Sequence, residues 1–437
     1  MSSAVVRMSW GRRNSALKTI RGSIRMYAAS SDRIRDILLD LCRRRRFILG
    51  DGLSAASVIE GGHSLGPLGS EMKKNIIKEW WNMVVLSREQ VLPIDTALHT
   101  APEPGSPALT LFRIRPDHRD NDSVVSDERQ LGILRHDLLH GALSHYAACL
   151  ELVSGKLPFG IAEVGKCFHT VPVLRDDGAP LTRPGERTAA SLCWFSSAKM
   201  SSQWRDYWLR HRLLWWRRFA QVPSGFSSGD HQDADGAKTF VINYDFPWGR
   251  EAVETLRTMD DSALTQVHAG TGAKLHGRDG RRSLVPHVVW LNSDLDRGLL
   301  AYLSDALHVT ENLSPRGKEH VRTVLRIHPS LAPIKVAVDL GKGPAVDLRL
   351  VGQELSSELR KSGISVWPGY LDTVQTPMEQ VFTKYDEMGV LFTVLVSDVT
   401  LESGLLHLRN RDTTIKETGT IGCIQEDKLR CVYCPVI

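Results

Sequence analysis

The chain has 437 residues, 42% of them hydrophobic, and a formal net charge of +5. No apolar run approaches the roughly 20 residues that a membrane-spanning helix needs, and the length suits a soluble protein of two or three domains with ample cores. The cysteines, seven in all, are scattered as Cys42, Cys149, Cys167, Cys193, Cys423, Cys431 and Cys434, which does not form a secreted disulfide framework and suits a reducing compartment.

The charge is unevenly placed. Residues 1–31 hold Arg7, Arg12, Arg13, Lys18, Arg21 and Arg25 and no acidic residue, so the net positive charge resides there and the remainder is close to neutral. This leader is rich in serine, lacks a continuous apolar core, and sets Val5, Val6, Trp10, Leu17, Ile20 and Ile24 among its arginines, the composition of a mitochondrial transit peptide; the alternative is a basic arm that binds nucleic acid. Residues 34–47 read as a helix with apolar positions at helical spacing, and Arg43, Arg44, Arg45 and Arg46 near its end suit the helix dipole as a solvated terminus. A glycine-rich passage to Gly69 leads into KEWWNMVVLSREQVLPID (78–95), a helix giving way to a strand before Pro93. Proline, glycine and acidic residues mark 102–127 as an insertion or linker.

HDLLHGALSHYAACLELV (136–153) is helical by spacing. His136 and His140 at i and i+4, with Asp137 beside the first, approach the H-E-x-x-H zinc pattern, but aspartate shortens the reach of the base and no third ligand follows, so ordinary helix histidines are expected. GAKT (236–239) lacks the Gly-Lys adjacency and upstream glycine spacing of a phosphate-binding loop, and GKGP (341–344) ends in proline where its hydroxyl should stand. In SSQWRDYWLRHRLLWWRRFA (201–220), Trp204, Trp208, Trp215 and Phe219 recur at helical spacing as a buried stripe, leaving Arg205, Arg210, Arg212, Arg217 and Arg218 as a face open to a polyanion.

Three apolar strand-like runs, HPSLAPIKVAVDLG (328–341), GISVWPGY (363–370) and a third closing on RNRDTTIKE (409–417), resemble the anticodon-binding domain of class II aminoacyl-tRNA synthetases, the glycyl branch above all. AEVGKCFHTVP (162–172) resembles the second class II motif, whose Phe-Arg-x-Glu grips ATP. Here Phe168 is followed by His169, Thr170 and Val171. A mostly neutral histidine does not replace a permanent bidentate guanidinium, and valine accepts no hydrogen bond. PHVVWLNSDLDRG (286–298) resembles the third motif: Arg297 keeps its arginine, Trp290 stands at an acidic position, and Asp294 replaces the glycine beside the triphosphate. An aspartate there repels ATP, so the fold is expected without the activity.

A class II fold with a glycyl-type C-terminal domain, a basic leader and a disabled ATP site is similar to one family, the accessory (processivity) subunits of mitochondrial DNA polymerase gamma. KEWWNMVV, LLHGALSHY (138–146), KLHGRDGR (274–281), DLDRGLLAYL (294–303) and ISVWPGYLDTVQ (364–375) carry the likeness. The resemblance implies a non-catalytic homodimer in the mitochondrial matrix and nucleoid. It would bind the catalytic subunit and duplex DNA, raise processivity, and need neither cofactor nor metal. The expected architecture is α/β: a class II synthetase-like antiparallel sheet domain (32–325) with a shortened helical insertion (102–160), an anticodon-binding-like mixed α/β domain (326–418) and a divergent tail (419–437). Relative to that family, the segment between Phe112 and Leu138 is shorter where a helical insertion helps build the dimer, and the tail does not continue as an amphipathic helix. Three tail cysteines without a clear fourth ligand fit a variant terminus better than a metal knuckle.

Because the body is near neutral, duplex binding is expected from local clusters: Lys274, Arg278, Arg281 and Arg282; and Arg316, Lys318, Arg322 and Arg326. Polymerase contact is expected at a hairpin-like turn of Glu402, Ser403 and Gly404, with Leu405 and Arg409 beside it, and Gly404 at positive φ. The competing reading is that this turn, with Arg411 and Asp412, only braces the fold. The competing functions are a mitochondrial glycyl-type tRNA synthetase and a tRNA-binding protein.

Overall fold

Phe159–Leu174 and Pro180–Ser196 pair antiparallel along their whole length and form the longest hairpin among the described residues. In this computed structural model the described residues are 31–50, 54–61, 63–100, 113–114, 132–174, 180–232, 238–313, 319–373 and 376–420. The basic leader, most of the 102–127 segment, Arg316, Lys318 and the tail with Cys423, Cys431 and Cys434 lie outside them.

The hairpin sits in a seven-stranded sheet whose neighbours are antiparallel, except that the edge strand Val91–Pro93 runs parallel to Phe159–Leu174. Strand periodicity sorts its side chains. Ala162, Leu192 and Trp194 face helices Pro67–Trp81, Ala198–Arg218 and Leu295–Ala306, while Phe159, Ile161, Cys193 and Phe195 face Tyr146, Leu264 and Trp290. Of the expected stripe, Trp208, Trp215 and Phe219 are buried and Trp204 is half-buried; Trp216, also buried, stacks on Tyr302 and Phe226. At Gly298 a Cβ would lie 2.5 Å from the Trp216 ring, so only glycine lets the two helices approach this closely.

The arginine face of that helix is mostly occupied. Arg212 is fully buried, bidentate to Glu254 at 2.9 and 3.0 Å, and stacked 4.3 Å over Trp215. Arg217 donates to the Phe226 carbonyl and Arg205 to Asp206, leaving Arg210 and Arg218 exposed. Sequence spacing alone could not separate an inward arginine from an outward one.

The helix expected over 136–153 is two, Leu139–Ser144 and Tyr146–Leu152. Ser144 Oγ donates to the His140 carbonyl and the His145 ring to that of Gly141, and this back-bonding competes with the ladder where the axis breaks. His136 pairs with Asp137. Within the expected helical insertion (102–160), Arg113–Ile114 and Gly132–Leu134 are strands that form a small antiparallel sheet with His99–Thr100 just before it. Arg135 ties it to the main sheet through a buried ion pair with Glu163 at 2.8 Å.

The C-terminal sheet has five strands, ordered Val366–Pro368, Val336–Leu340, Phe392–Val396, Leu406–Asn410 and Lys416–Gly419; the first three are parallel and the last two antiparallel. Helix Ala345–Lys361 connects the parallel pair at its edge. The N-terminal helix Ser31–Arg44 buries Leu38, Leu41 and Cys42. Its arginines are not merely solvated: Arg44 and Arg45 both reach Glu387, at the end of helix Met378–Glu387, and so join the two domains.

Candidate functional site

Three surfaces inherit the sequence expectations. The first lies where strands Phe159–Leu174, Pro180–Ser196 and His287–Asp294 end beside helix Leu295–Ala306. There Val58, Gly61, His169, Arg187, Asp294 and Arg297 enclose a cavity of about 100 Å³. That is well under the roughly 300 Å³ at which pockets take ligand-sized molecules. His169 donates from Nε2 to the Glu60 carbonyl at 3.0 Å; burial, with Arg187 second, holds its pKa below the ordinary imidazole value, so it stays neutral. Val171 is buried. Asp294 caps the following helix by accepting from the Arg297 amide at 2.9 Å, and burial raises its pKa above the ordinary carboxylate value while Arg297 opposes that rise. Arg297 donates to the Ala252 carbonyl and lies 3.8 Å from Glu251. The indole of Trp290 donates to Ser191 Oγ at 3.0 Å on the opposite face of the sheet from the helices. The positions that resemble ATP-handling motifs are thus capping, packing and pairing with one another.

The second surface is basic. Lys274, Arg278, Arg281 and Arg282 are all exposed on and beside the hairpin Gly277–Asp279 and Arg282–Leu284, so these four expected residues come together. Arg278 is partly anchored, donating to the Ser154 carbonyl at 2.9 Å. The other cluster does not gather in the same way. Arg322 chelates the buried Asp386 at 2.7 and 3.1 Å and also donates to the Arg411 carbonyl, while Arg326 is half-buried.

The third surface corrects the expected hairpin turn. The Ser397 amide donates to Thr400 Oγ1 at 3.0 Å at the start of a short helix, Asp398–Ser403, between the antiparallel strands. Gly404 is its left-handed C-cap at φ 71°, with open space around a would-be Cβ, so the positive φ is present but ends a helix. Glu402, Ser403 and Gly404 are exposed and Leu405 is half-buried. Arg409 is not at the surface: it is buried, bidentate to Asp386 at 2.8 and 2.9 Å. Arg411 is also buried and donates to the carbonyls of Gly389 and Ile327 and to Asp412, which is the bracing role. Asp386, the shared partner of Arg322 and Arg409, carried no signal in the sequence.

Residues 335–425 match the anticodon binding domain family. Over 405 residues the chain is 55% identical to DNA polymerase subunit gamma-2, mitochondrial, of Xenopus laevis, spanning 91% of this chain and 88% of the frog protein. It is 50% identical over 406 residues to DNA polymerase subunit gamma-2 of Bos taurus, spanning 89% and 84% of the two chains. A glycine–tRNA ligase of Mycolicibacterium paratuberculosis is 26% identical over 450 residues, spanning 87% of this chain and 94% of the ligase. A synthetase-related fold with an anticodon-binding domain, matched nearly end to end by such relatives, leads to one assignment: the chain belongs to the family of DNA polymerase subunit gamma-2, the accessory subunit of DNA polymerase gamma.

Proposed function

We propose that the protein is a non-catalytic accessory subunit that binds the catalytic subunit of DNA polymerase gamma and duplex DNA in the mitochondrial matrix, acts as a homodimer, and raises processivity. The near full-length identity to DNA polymerase subunit gamma-2 carries this reading. The small cavity at His169 and Asp294 supports the absence of catalysis, because its space suits water better than a nucleoside triphosphate.

For DNA the reading favours Lys274, Arg278, Arg281 and Arg282, whose exposed cations can displace counterions from phosphates. Arg316 and Lys318 are retained as candidates as well; Arg322 is not, since its guanidinium is spent on Asp386 and the Arg411 carbonyl, and Arg326 is retained only as a half-buried cation. For the polymerase the reading keeps Glu402, Gly404 and Leu405 and omits Arg409.

The test is reconstitution with the catalytic subunit on a long primed template. Co-elution and longer products are expected, and unchanged product length without co-elution overturns the reading. The second reading, a glycyl-tRNA synthetase, is favoured by the identity to glycine–tRNA ligases. It requires glycine-dependent ATP–pyrophosphate exchange that Arg297→Ala abolishes; exchange at background is expected.

A further inference from the structure

A groove of about 550 Å³ opens at the far end of the same hairpin from the His169 cavity, between helix Ala198–Arg218 and the basic hairpin, and Ser196, Ser197, Lys199, Trp204, Asp279 and Arg282 line it. Its volume falls within the roughly 300–1,000 Å³ range of ligand pockets.

Four features make it an anion seat. It lies at the start of a 21-residue helix whose Ser197 makes no side-chain cap, so the first amides point outward with the positive end of the helix dipole. Ser196 is 1% exposed and its Oγ has no hydrogen-bond partner. It follows Trp194 on the same face of the strand, the face that packs on Trp204 and Trp208, so this orphan hydroxyl is directed to the groove side. Lys199 and Arg282 bring two exposed cations from opposite walls. Trp204, half-buried and 4.7 Å from Trp194, offers an aromatic wall on which a base can stack. Against these stands Asp279, whose carboxylate on the rim disfavours an anion.

We infer that this groove binds a nucleotide phosphate, with the phosphate at the Ser197–Lys199 amides, Ser196 Oγ and the two cations, and the base toward Trp204. Two sources share that chemistry: a free mononucleotide and a phosphorylated strand of DNA. The inference does not depend on the DNA role of the hairpin, although Arg282 would serve both.

Calorimetric titration of the full chain with dAMP at low salt tests it. Saturable binding is expected, weakened at least about tenfold by Lys199→Ala and again by Arg282→Ala, the loss expected for one charge-assisted hydrogen bond. Asp279→Asn should strengthen binding, which a variant acting through general destabilisation would not do. A 5′-phosphorylated duplex that displaces dAMP, with the Lys199→Ala loss repeated on the duplex, identifies a strand as the occupant. Failure to displace, with dAMP binding intact, identifies the free nucleotide. Duplex binding lost everywhere while dAMP still binds would sink the DNA role of the hairpin and leave the groove standing. No dAMP binding, or binding indifferent to all three substitutions, overturns the inference.

Discussion

Arg409→Ala should unfold the C-terminal domain more readily rather than strip a contact from its surface. Asp386 is 2% exposed and accepts from two guanidiniums, Arg409 at 2.8 and 2.9 Å and Arg322 at 2.7 and 3.1 Å. Truncating one partner of a buried pair costs about 3–5 kcal/mol because the remaining charge is left uncompensated. Arg322 still faces the carboxylate, which places the expected loss near the lower end, about 3 kcal/mol. For a domain of about 90 residues that is a fall in Tm of about 12–24 °C. Arg322 is more exposed, with 25% of its side chain accessible, so Arg322→Ala should cost less, about 1.5 kcal/mol.

Thermal melts followed by circular dichroism measure both losses, and the double variant measures their coupling. The doubly truncated protein should be worse than the sum of the singles, since only then does Asp386 lose every cation. Polymerase binding, measured well below the melt, should survive in Arg409→Ala. A melt within about 2 °C of wild type together with lost polymerase binding would refute this reasoning and return Arg409 to the interface.

Gly404→Glu and Gly404→Ala should each cost about 1–2 kcal/mol from the left-handed backbone, with melts that match each other; only the glutamate should sharply reduce polymerase binding in a pull-down, and equal binding by the two removes that surface from the interface. Burial, with Arg218 and Lys335 adding to it, lowers the pKa of His328 from 6.5 to about 4, so the unfolded chain takes up the proton first as pH falls. Stability present above pH 6.5 is therefore lost between 6.5 and about 4, by at most about 3 kcal/mol, and His328→Gln should flatten that part of the pH–stability curve. An unchanged slope refutes the assignment. The proposed homodimer should dissociate at nanomolar concentration, and sedimentation that shows a tight dimer there refutes the expected weakening.

What could be read from the sequence followed from local periodicity. The tryptophan stripe in 201–220 places Trp208, Trp215 and Phe219 inward, because burial repeats along the element itself. Partners distant in the chain were illegible: Arg212 meets Glu254 across 42 residues, and Arg322 meets Asp386 across 64. Each looked like a surface cation because its carboxylate lies on another element. The helix Asp398–Ser403 is too short for a helical period to emerge, so its glycine C-cap read as a hairpin turn.

On the proposed non-catalytic reading, the end of the sheet at His169 and Asp294 keeps its fold without the chemistry. Two positions that would hold ATP in the synthetases the chain resembles, Trp290 and Asp294, take packing and capping roles. Trp290 joins the cluster of Phe159, Phe195 and Tyr146 and finds Ser191 for its N–H, which turns a polar catalytic position into buried apolar area. Asp294 closes the first turn of helix Leu295–Ala306, a capping role worth about 1 kcal/mol. Both changes stabilise the sheet and both oppose nucleotide binding at that end, one by filling space and the other by negative charge. Stability and catalysis therefore pull in opposite directions at these two positions. Restoring an acid at Trp290 should destabilise the protein by about 3–5 kcal/mol, the cost of truncating a buried tryptophan, without restoring exchange activity, because His169 and Val171 still lack the groups that grip the phosphate.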